Sequence, residues 1–156
     1  MIRTRTRRIV VPVVLVSIAA LALAAVALAA NRGFKGKVEK GGKVDFKAKV
    51  KKGKVVQVIG SAKPLPFGQG FRWNNVPAKC PKGKLTISGH FNFPMNVGPG
   101  GKFKKSVSTS TGKTTVSGTF SSASKASGKL KFNGGVYHDG ELWTGCVTNA
   151  KWSAKH

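Results

Sequence analysis

VSGTFSSASKASGKLKF, residues 116–132, places a glycine in the middle of each of two short strand-like runs. Apolar and polar residues alternate on both sides of a small-residue segment, which predicts a β-hairpin that turns at Ala123. In that register Gly118 faces Gly128, and both glycines point to the inner face of the hairpin. The other inward pairs are Val116 with Leu130 and Phe120 with Ala126.

Two facing glycines leave a gap in the side-chain layer of a sheet. Glycine inside a strand lowers stability, so its repetition at like positions indicates a geometric requirement. The gap either lets the sheet bend sharply or makes room for a large ring from another strand. Gly89 in ISGHF and Gly145 in WTGCV are expected to extend the gap across neighbouring strands. The candidate rings are Trp73, Trp143, Trp152 and Phe91.

The same period-two alternation marks further strands. Apolar residues alternate with polar ones over 44–50, KKGK turns the chain at 51–54, and a second apolar run follows at 55–59. Similar alternation covers 85–93. The sequence therefore predicts an all-β protein, an antiparallel meander of about eight strands forming a small barrel, with a two-sheet β-sandwich as the alternative. Further turns are predicted at 98–102, 111–113 and 139–141.

Segment 61–84 does not fit this alternation. It is rich in Pro, Gly and Asn, and we expect a long irregular connection pinned by Cys80, with at most one short strand at 71–74. Phe71 and Trp73 lie beside amide side chains here, a combination suited to stacking on sugar rings. They are candidate ligand-contacting aromatics at the mouth of a barrel. The competing interpretation places both rings in the core.

Residues 1–30 have the layout of an export signal. Four arginines and no acid precede an alanine-rich apolar run over 9–30, which contains Ala-Leu-Ala at 27–29. Cleavage after this pattern would leave residues 31–156 as one secreted β-domain without a transmembrane segment. An uncleaved anchor is the alternative, because about 20 apolar residues span a bilayer. The paired arginines leave general secretory and twin-arginine export both open.

The two cysteines, Cys80 and Cys146, both follow the predicted signal. Export to an oxidising compartment favours a disulfide between them. A zinc site is the alternative, and it would need further ligands near both cysteines, where His90 and His138 are the only internal histidines. The sequence predicts one disulfide, no metal and no cofactor.

Lysine dominates the charge of the chain. The 28 Lys and Arg against 4 Asp and Glu give a formal net charge of +24, and about +20 remains after residue 30. This charge attracts anions at long range, but Lys lacks the planar fork with which Arg reads phosphates or bases. We therefore expect an anionic wall polymer or an acidic membrane surface as partner; nucleic acid is possible but not favoured. Solvated lysines that keep a β-rich protein soluble are the competing interpretation. The candidate anion-binding residues are Lys35, Lys37, Lys43, Lys47, Lys49, Lys51, Lys52 and Lys54.

The sequence offers no convincing catalytic pattern. YHDGE at 137–141 gathers a histidine, a phenol and two carboxylates, but Asp-Gly at its centre is typical of a β-turn. His90 lies on the polar side of its strand, and the serines lack a Gly-x-Ser-x-Gly elbow. No phosphate-cradling loop or zinc-ligand spacing occurs. We expect a non-catalytic protein.

The stretches VSGTF, ASGKL and GCVTNAKWSAK resemble the C-terminal half of small secreted β-rich proteins of actinobacteria. The matching positions are 126–130, Cys146 and 152–154. The resemblance implies export, a disulfide and an all-β fold, and it implies no activity. We therefore expect an exported basic β-domain that associates with anionic cell-envelope or extracellular polymers through its Lys-rich face. A small-ligand-binding barrel with an aromatic-lined mouth is the alternative.

Overall fold

The computed structural model describes residues 30–59, 70–91 and 93–156. The predicted export signal over 1–30 lies outside this part of the chain except for Ala30, with which the first strand begins. A single turn of 3-10 helix, Pro99–Gly101, precedes the seventh strand. The strands are β1 Ala30–Val38, β2 Lys43–Lys51, β3 Lys54–Ile59, β4 Phe71–Cys80, β5 Gly83–Phe91, β6 Met95–Asn96, β7 Lys102–Thr109, β8 Gly112–Ser122, β9 Lys125–His138 and β10 Glu141–Lys155.

All the strands belong to one antiparallel sheet, in the order β5-β4-β2-β1-β10-β9-β8-β7, with β3 paired to β2 and β6 paired to β3. A further pairing between β4 and β10 closes a ring through β1, β2, β4 and β10. The all-β antiparallel class is therefore confirmed. Among the described residues there are ten strands, and two of the ring pairings, β1 with β10 and β2 with β4, join strands that are not consecutive in the chain.

The hairpin predicted for 116–132 is confirmed residue by residue. Gly118 pairs with Gly128, and the flanking pairs are Val116 with Leu130 and Phe120 with Ala126. The next strand, β10, places Trp152 opposite Gly128. The Trp152 ring fills the gap, because a Cβ built on either glycine would lie within 2.7 Å of its Cζ2 atom. The glycines thus make room for a ring from another strand.

The glycines do not form one continuous gap, contrary to expectation. Gly89 on β5 has a separate partner, since a Cβ there would lie 2.5 Å from Cζ2 of Trp73. Gly145 has no ring over it and lies at a bulge between Trp143 and Cys146, where its φ of +68° is one that glycine adopts without strain. The physical reason is strand order, because β5 lies at the far edge of the sheet from the β8–β9 hairpin.

Strand β4 corrects the prediction for 61–84, because 71–80 form a ten-residue strand where an irregular connection was expected. A bulge between Trp73 and Val76, with Asn75 at φ +52°, shifts the alternation by one residue. Phe71 and Trp73 are buried before the bulge, and Val76 is buried after it. A bulge inserts one extra residue and so breaks the period of two on which strand prediction depends. Residues 61–69 lie outside the described part.

The core is a cluster of aromatic rings on the inward face of the sheet. Phe46 stacks between Phe34 and Phe71, with ring centroids 5.0 Å from each. Trp152 meets Phe71 edge to face at 5.3 Å. In β2 the predicted alternation is confirmed, since Phe46 and its apolar neighbours at every second position are buried while the lysines between them are exposed.

The predicted disulfide between Cys80 and Cys146 is confirmed. It joins the end of β4 to β10, beside the backbone pairing of Lys79 with Val147. This bond links two adjacent strands of the four-stranded ring and closes a loop with a sequence separation of 66 residues. Across the three described ranges, no helix has the length and apolar character of a membrane span.

Candidate anion-binding surface

All eight lysines predicted to bind anions are exposed, and the structure brings them together on three adjacent strands. Lys35 and Lys37 lie on β1, and Lys43 faces Lys37 from β2. Core residues such as Phe34 and Phe46 point inward from the same strands, so the lysines at alternate positions point outward. The other five members lie on β2, in the β2–β3 turn and at the start of β3: Lys47, Lys49, Lys51, Lys52 and Lys54.

The pairing of β1 with β10 extends this surface to lysines near the C-terminus. Lys155 of β10 stands between Lys35 of β1 and Lys125 of β9. We call the exposed lysines of β2, β1, β10 and β9 the outer lysine surface. Its members are Lys43, Lys47, Lys49 and Lys51 on β2, Lys35 and Lys37 on β1, Lys151 and Lys155 on β10, and Lys125, Lys129 and Lys131 on β9.

Sequence reasoning missed the lysines of β9 and β10. They are separated from those of β1 and β2 by about 70 to 120 residues. In the predicted hairpin at 116–132, Lys129 lies between the inward residues Gly128 and Leu130, so its side chain was already expected to point outward. The missing information was that β10 lies next to β1, a non-local pairing that no local pattern in the chain specifies.

Like charges face each other directly on this surface. Side chains directly opposite on antiparallel strands have Cβ atoms about 4.5–5.5 Å apart, and facing like charges are destabilising. The facing pairs are Lys37 with Lys43, Lys35 with Lys155, Lys125 with Lys155 and Lys129 with Lys151. Lys51 of this surface also faces Lys54 of β3, and Lys79 faces Lys84 elsewhere on the sheet.

One carboxylate, that of Asp45 on β2, faces Lys35 on the outer lysine surface, but none of the ion pairs among the described residues includes it. Within the described ranges the ion pairs are Lys82 with Glu141 and His138 with Asp139, and neither includes a lysine of that surface. The hydrogen bond and the charge of Lys82 lower the pKa of Glu141 below its ordinary value, and a hydrogen bond from the Trp143 indole contributes. Lysine ammonium groups on the surface are thus left for solvent and external anions.

A groove of about 820 Å³ crosses β7, β8, β9 and β10 at the edge of this surface. Three adjacent rows of cross-strand neighbours line it. The middle row runs Phe103, Gly118, Gly128 and Trp152. One flanking row runs Lys104, Ser117, Lys129 and Lys151, and the other runs Lys102, Thr119 and Ser127.

The structure corrects the proposed aromatic mouth. Phe71 is fully buried and Trp73 is 5% exposed, so neither ring presents a face to solvent. Both side chains lie on the inward side of β4 because this segment is a strand and not a loop. Phe71 packs against Phe46 and Trp152, and Trp73 packs against Phe91. The interpretation of these rings as core residues is the one that the packing supports.

The polar cluster at 137–141 is a tight turn between β9 and β10. Asp139 and Gly140 have φ of +48° and +81°, the conformation of a two-residue hairpin turn. His138 and Tyr137 are exposed at its tip, and Nε2 of His138 lies 3.6 Å from the Asp139 carboxylate. Across the described residues no group of three or more His, Cys, Asp or Glu side chains is placed to hold a metal ion.

Comparison with protein-family models and with curated proteins finds no match to this chain.

Proposed function

We propose that this protein is an exported, non-catalytic β-domain that associates with anionic cell-envelope or extracellular polymers through its outer lysine surface. The observation that carries the proposal is the set of facing lysine pairs, none of which takes part in an ion pair with a carboxylate of the described ranges. Each facing pair destabilises the folded sheet by roughly a few tenths of a kcal/mol, by analogy with other cross-strand pairs. A surface kept only for solubility needs a net charge of about 2–8 and no such facing arrangement.

An anionic polymer relieves this repulsion when it binds. A partner that binds the folded state and not the unfolded chain stabilises the fold, and each lysine pair gains a shared counter-charge. The attraction is long-range and diffuse because ammonium groups are flexible, strongly hydrated point charges. This favours a polymer with closely spaced charges over a single small anion.

The two arginines after residue 30 do not supply a nucleic-acid-reading site. Arg32 donates a hydrogen bond from Nη1 to the carbonyl oxygen of Ala123 at 3.1 Å, which ties β1 to the turn of the β8–β9 hairpin. Arg72 is half-buried on β4, opposite Asp45 and His90. Bidentate recognition of phosphates or base edges relies on an Arg fork. Envelope polymer is accordingly the proposed partner, with an acidic membrane surface as the second source of the same negative charge.

Co-sedimentation with isolated bacterial envelope tests the proposal. The bound fraction of purified protein is followed from about 10 mM salt to about 1 M, where the screening length falls from about 30 Å to about 3 Å. We expect binding at low salt that decreases steadily and disappears near 1 M. Parallel assays with vesicles that contain or lack acidic lipid distinguish binding to a membrane surface from binding to envelope polymer. Absence of binding at low salt would refute the proposal, and binding that persists at 1 M would contradict its electrostatic basis.

A matched pair of variants locates the binding surface. In the test variant Lys37, Lys43 and Lys155 are each replaced by Gln, which removes the centre of the outer lysine surface. The control variant loses the same charge through Lys40→Gln, Lys84→Gln and Lys113→Gln, at positions outside that surface. We expect the test variant to be released at distinctly lower salt than the control. Equal release of both variants would show that net charge alone, and not this surface, drives association.

A further inference from the structure

The groove across β7 to β10 combines charge and hydroxyl groups within a single depression. Its rim carries Lys102 and Lys104 at one end and Lys129 and Lys151 at the other. Four antiparallel strands span three strand spacings, so the two ends lie about 14 Å apart. Between the lysines stand three hydroxyl side chains, those of Ser117, Thr119 and Ser127. The groove therefore fits an elongated ligand with separated negative charges.

The middle row distinguishes this groove from the rest of the outer lysine surface. Where other rows carry bulky inward side chains, Gly118 and Gly128 leave the sheet thin, and the rings of Phe103 and Trp152 pack against them. The ring of Trp152 is 3% exposed and packs on the inward side of the two glycines, whereas the lysines and hydroxyl groups of the groove point outward from the alternate positions. The glycines therefore contribute a strip of backbone without side chains as the floor of the groove.

We infer that this groove binds a short segment of an anionic, hydroxyl-bearing chain, such as a polyol phosphate or an acidic sugar chain. The lysines at the two ends bind successive negative charges, and the hydroxyl groups between them exchange hydrogen bonds with the hydroxyl groups of the ligand. This inference rests on the proposed function and makes it more specific. The outer lysine surface attracts the polymer, and the groove selects which polymer is held.

The selectivity of the groove follows from its polar composition. Lysines alone do not distinguish one polyanion from another of equal charge density, because Coulomb attraction is insensitive to the rest of the ligand. The partly buried hydroxyl groups of Ser117 and Thr119 do distinguish ligands, since a chain without hydroxyl groups displaces their water and leaves them unpaired. We therefore expect a preference for a hydroxyl-bearing polyanion over a hydroxyl-free one at equal charge.

The test measures affinity for two defined probes, a glycerol phosphate oligomer with free hydroxyl groups and an inorganic polyphosphate matched in charge. The groove variant carries Lys129→Gln and Lys151→Gln. The control variant carries Lys49→Gln and Lys51→Gln, on the same surface but outside the groove. We expect the wild-type protein to prefer the glycerol phosphate oligomer, and the groove variant to lose about tenfold or more of that affinity. The control variant should lose about threefold or less.

The backbone amide signals of Gly118 and Gly128 provide a second readout, because these residues form the floor of the groove. In a ¹H–¹⁵N spectrum, we expect glycerol phosphate oligomer to shift these two signals more than that of Gly33, which lies outside the groove. Equal affinity for both probes, or equal losses in the two lysine variants, would overturn the inference. If envelope binding persists in that case, the proposed function stands without the groove; if envelope binding is absent as well, both fail.

Discussion

Replacement of Gly118 by Ala is expected to destabilise the fold by overpacking one point of the core. A Cβ at this position would lie 2.6 Å from Cζ of Phe103 and 2.7 Å from Cζ2 of Trp152. Carbon atoms in ordinary contact are about 3.5–4.0 Å apart, so the rings must move by about 1 Å in total. Both rings are at least 96% buried, and the sheet backbone lies on the other side of the new methyl group. The two rings therefore have little free space into which they can move.

The size of the effect is the difference between two opposing contributions. Extra methyl groups forced into a packed core cost typically about 1–3 kcal/mol. Ala at a position with ordinary strand conformation gains about 0.4–1 kcal/mol, because it restricts the unfolded chain. The net expectation for Gly118→Ala is a loss of about 1–2 kcal/mol in the free energy of unfolding, which lowers Tm by roughly 3–8 °C for a domain of this size.

Thermal and denaturant unfolding followed by tryptophan fluorescence measure this loss. Gly33→Ala is the matched control, because its Cβ meets no atom within 4 Å, and it should leave stability unchanged or raised. In a double-mutant cycle, Phe103→Leu should cost less in the Gly118→Ala background than alone, since it frees space beside the new methyl group. Equal stability of Gly118→Ala and Gly33→Ala would refute the packing role assigned to the glycine gap.

Three further perturbations test other features of the structure. Raising NaCl from about 10 mM to about 0.5 M should raise Tm, because salt screens the facing lysines; a falling or constant Tm would contradict this. Reduction of the Cys80–Cys146 disulfide should lower the free energy of unfolding by about 4 kcal/mol on the chain-entropy account, because the bond closes a 66-residue separation. Reductant should have no effect on the stability of a double Cys→Ala variant. Lys82→Ala should raise the lowered pKa of Glu141 towards its ordinary value in an NMR titration. In the wild type this ion pair contributes stability above the unfolded pKa of Glu141, and that stability is lost as pH falls through the folded pKa. An unchanged pKa in the variant would exclude Lys82 as the cause of the shift.

Local patterns in the chain were sufficient to predict the β2–β3 and β8–β9 hairpins. In β8 and β9, alternation and a small-residue turn specified the register through which Gly118 faces Gly128. The β2–β3 hairpin was predicted from KKGK, where Lys52 and Gly53 adopt φ of +48° and +72°. These predictions succeed because side-chain direction in a strand has a period of two and turn chemistry depends on adjacent residues.

Only the lysine part of the candidate site could be predicted from the sequence. The lysines of β1 to β3 were identified by composition alone, and their exposure follows from the alternation in Phe46 and its neighbours. The aromatic mouth was wrong because a bulge at Asn75 concealed β4, which carries Phe71 and Trp73 into the core. A bulge shifts the phase of alternation in mid-strand, and a sequence window that spans it shows neither phase clearly.

The sequence by itself determined the all-β class, the register of the β8–β9 hairpin, the disulfide partners and the large positive charge, all of which depend on composition or on residues close together in the chain. Only the tertiary structure decided that β1 lies beside β10 and that Trp152 is the ring over the glycine gap. The pairing of β1 with β10 joins residues more than a hundred positions apart, for which many alternatives satisfy the same alternation. Collective packing of the core selects among them, and with them it assembles the lysine surface and the groove.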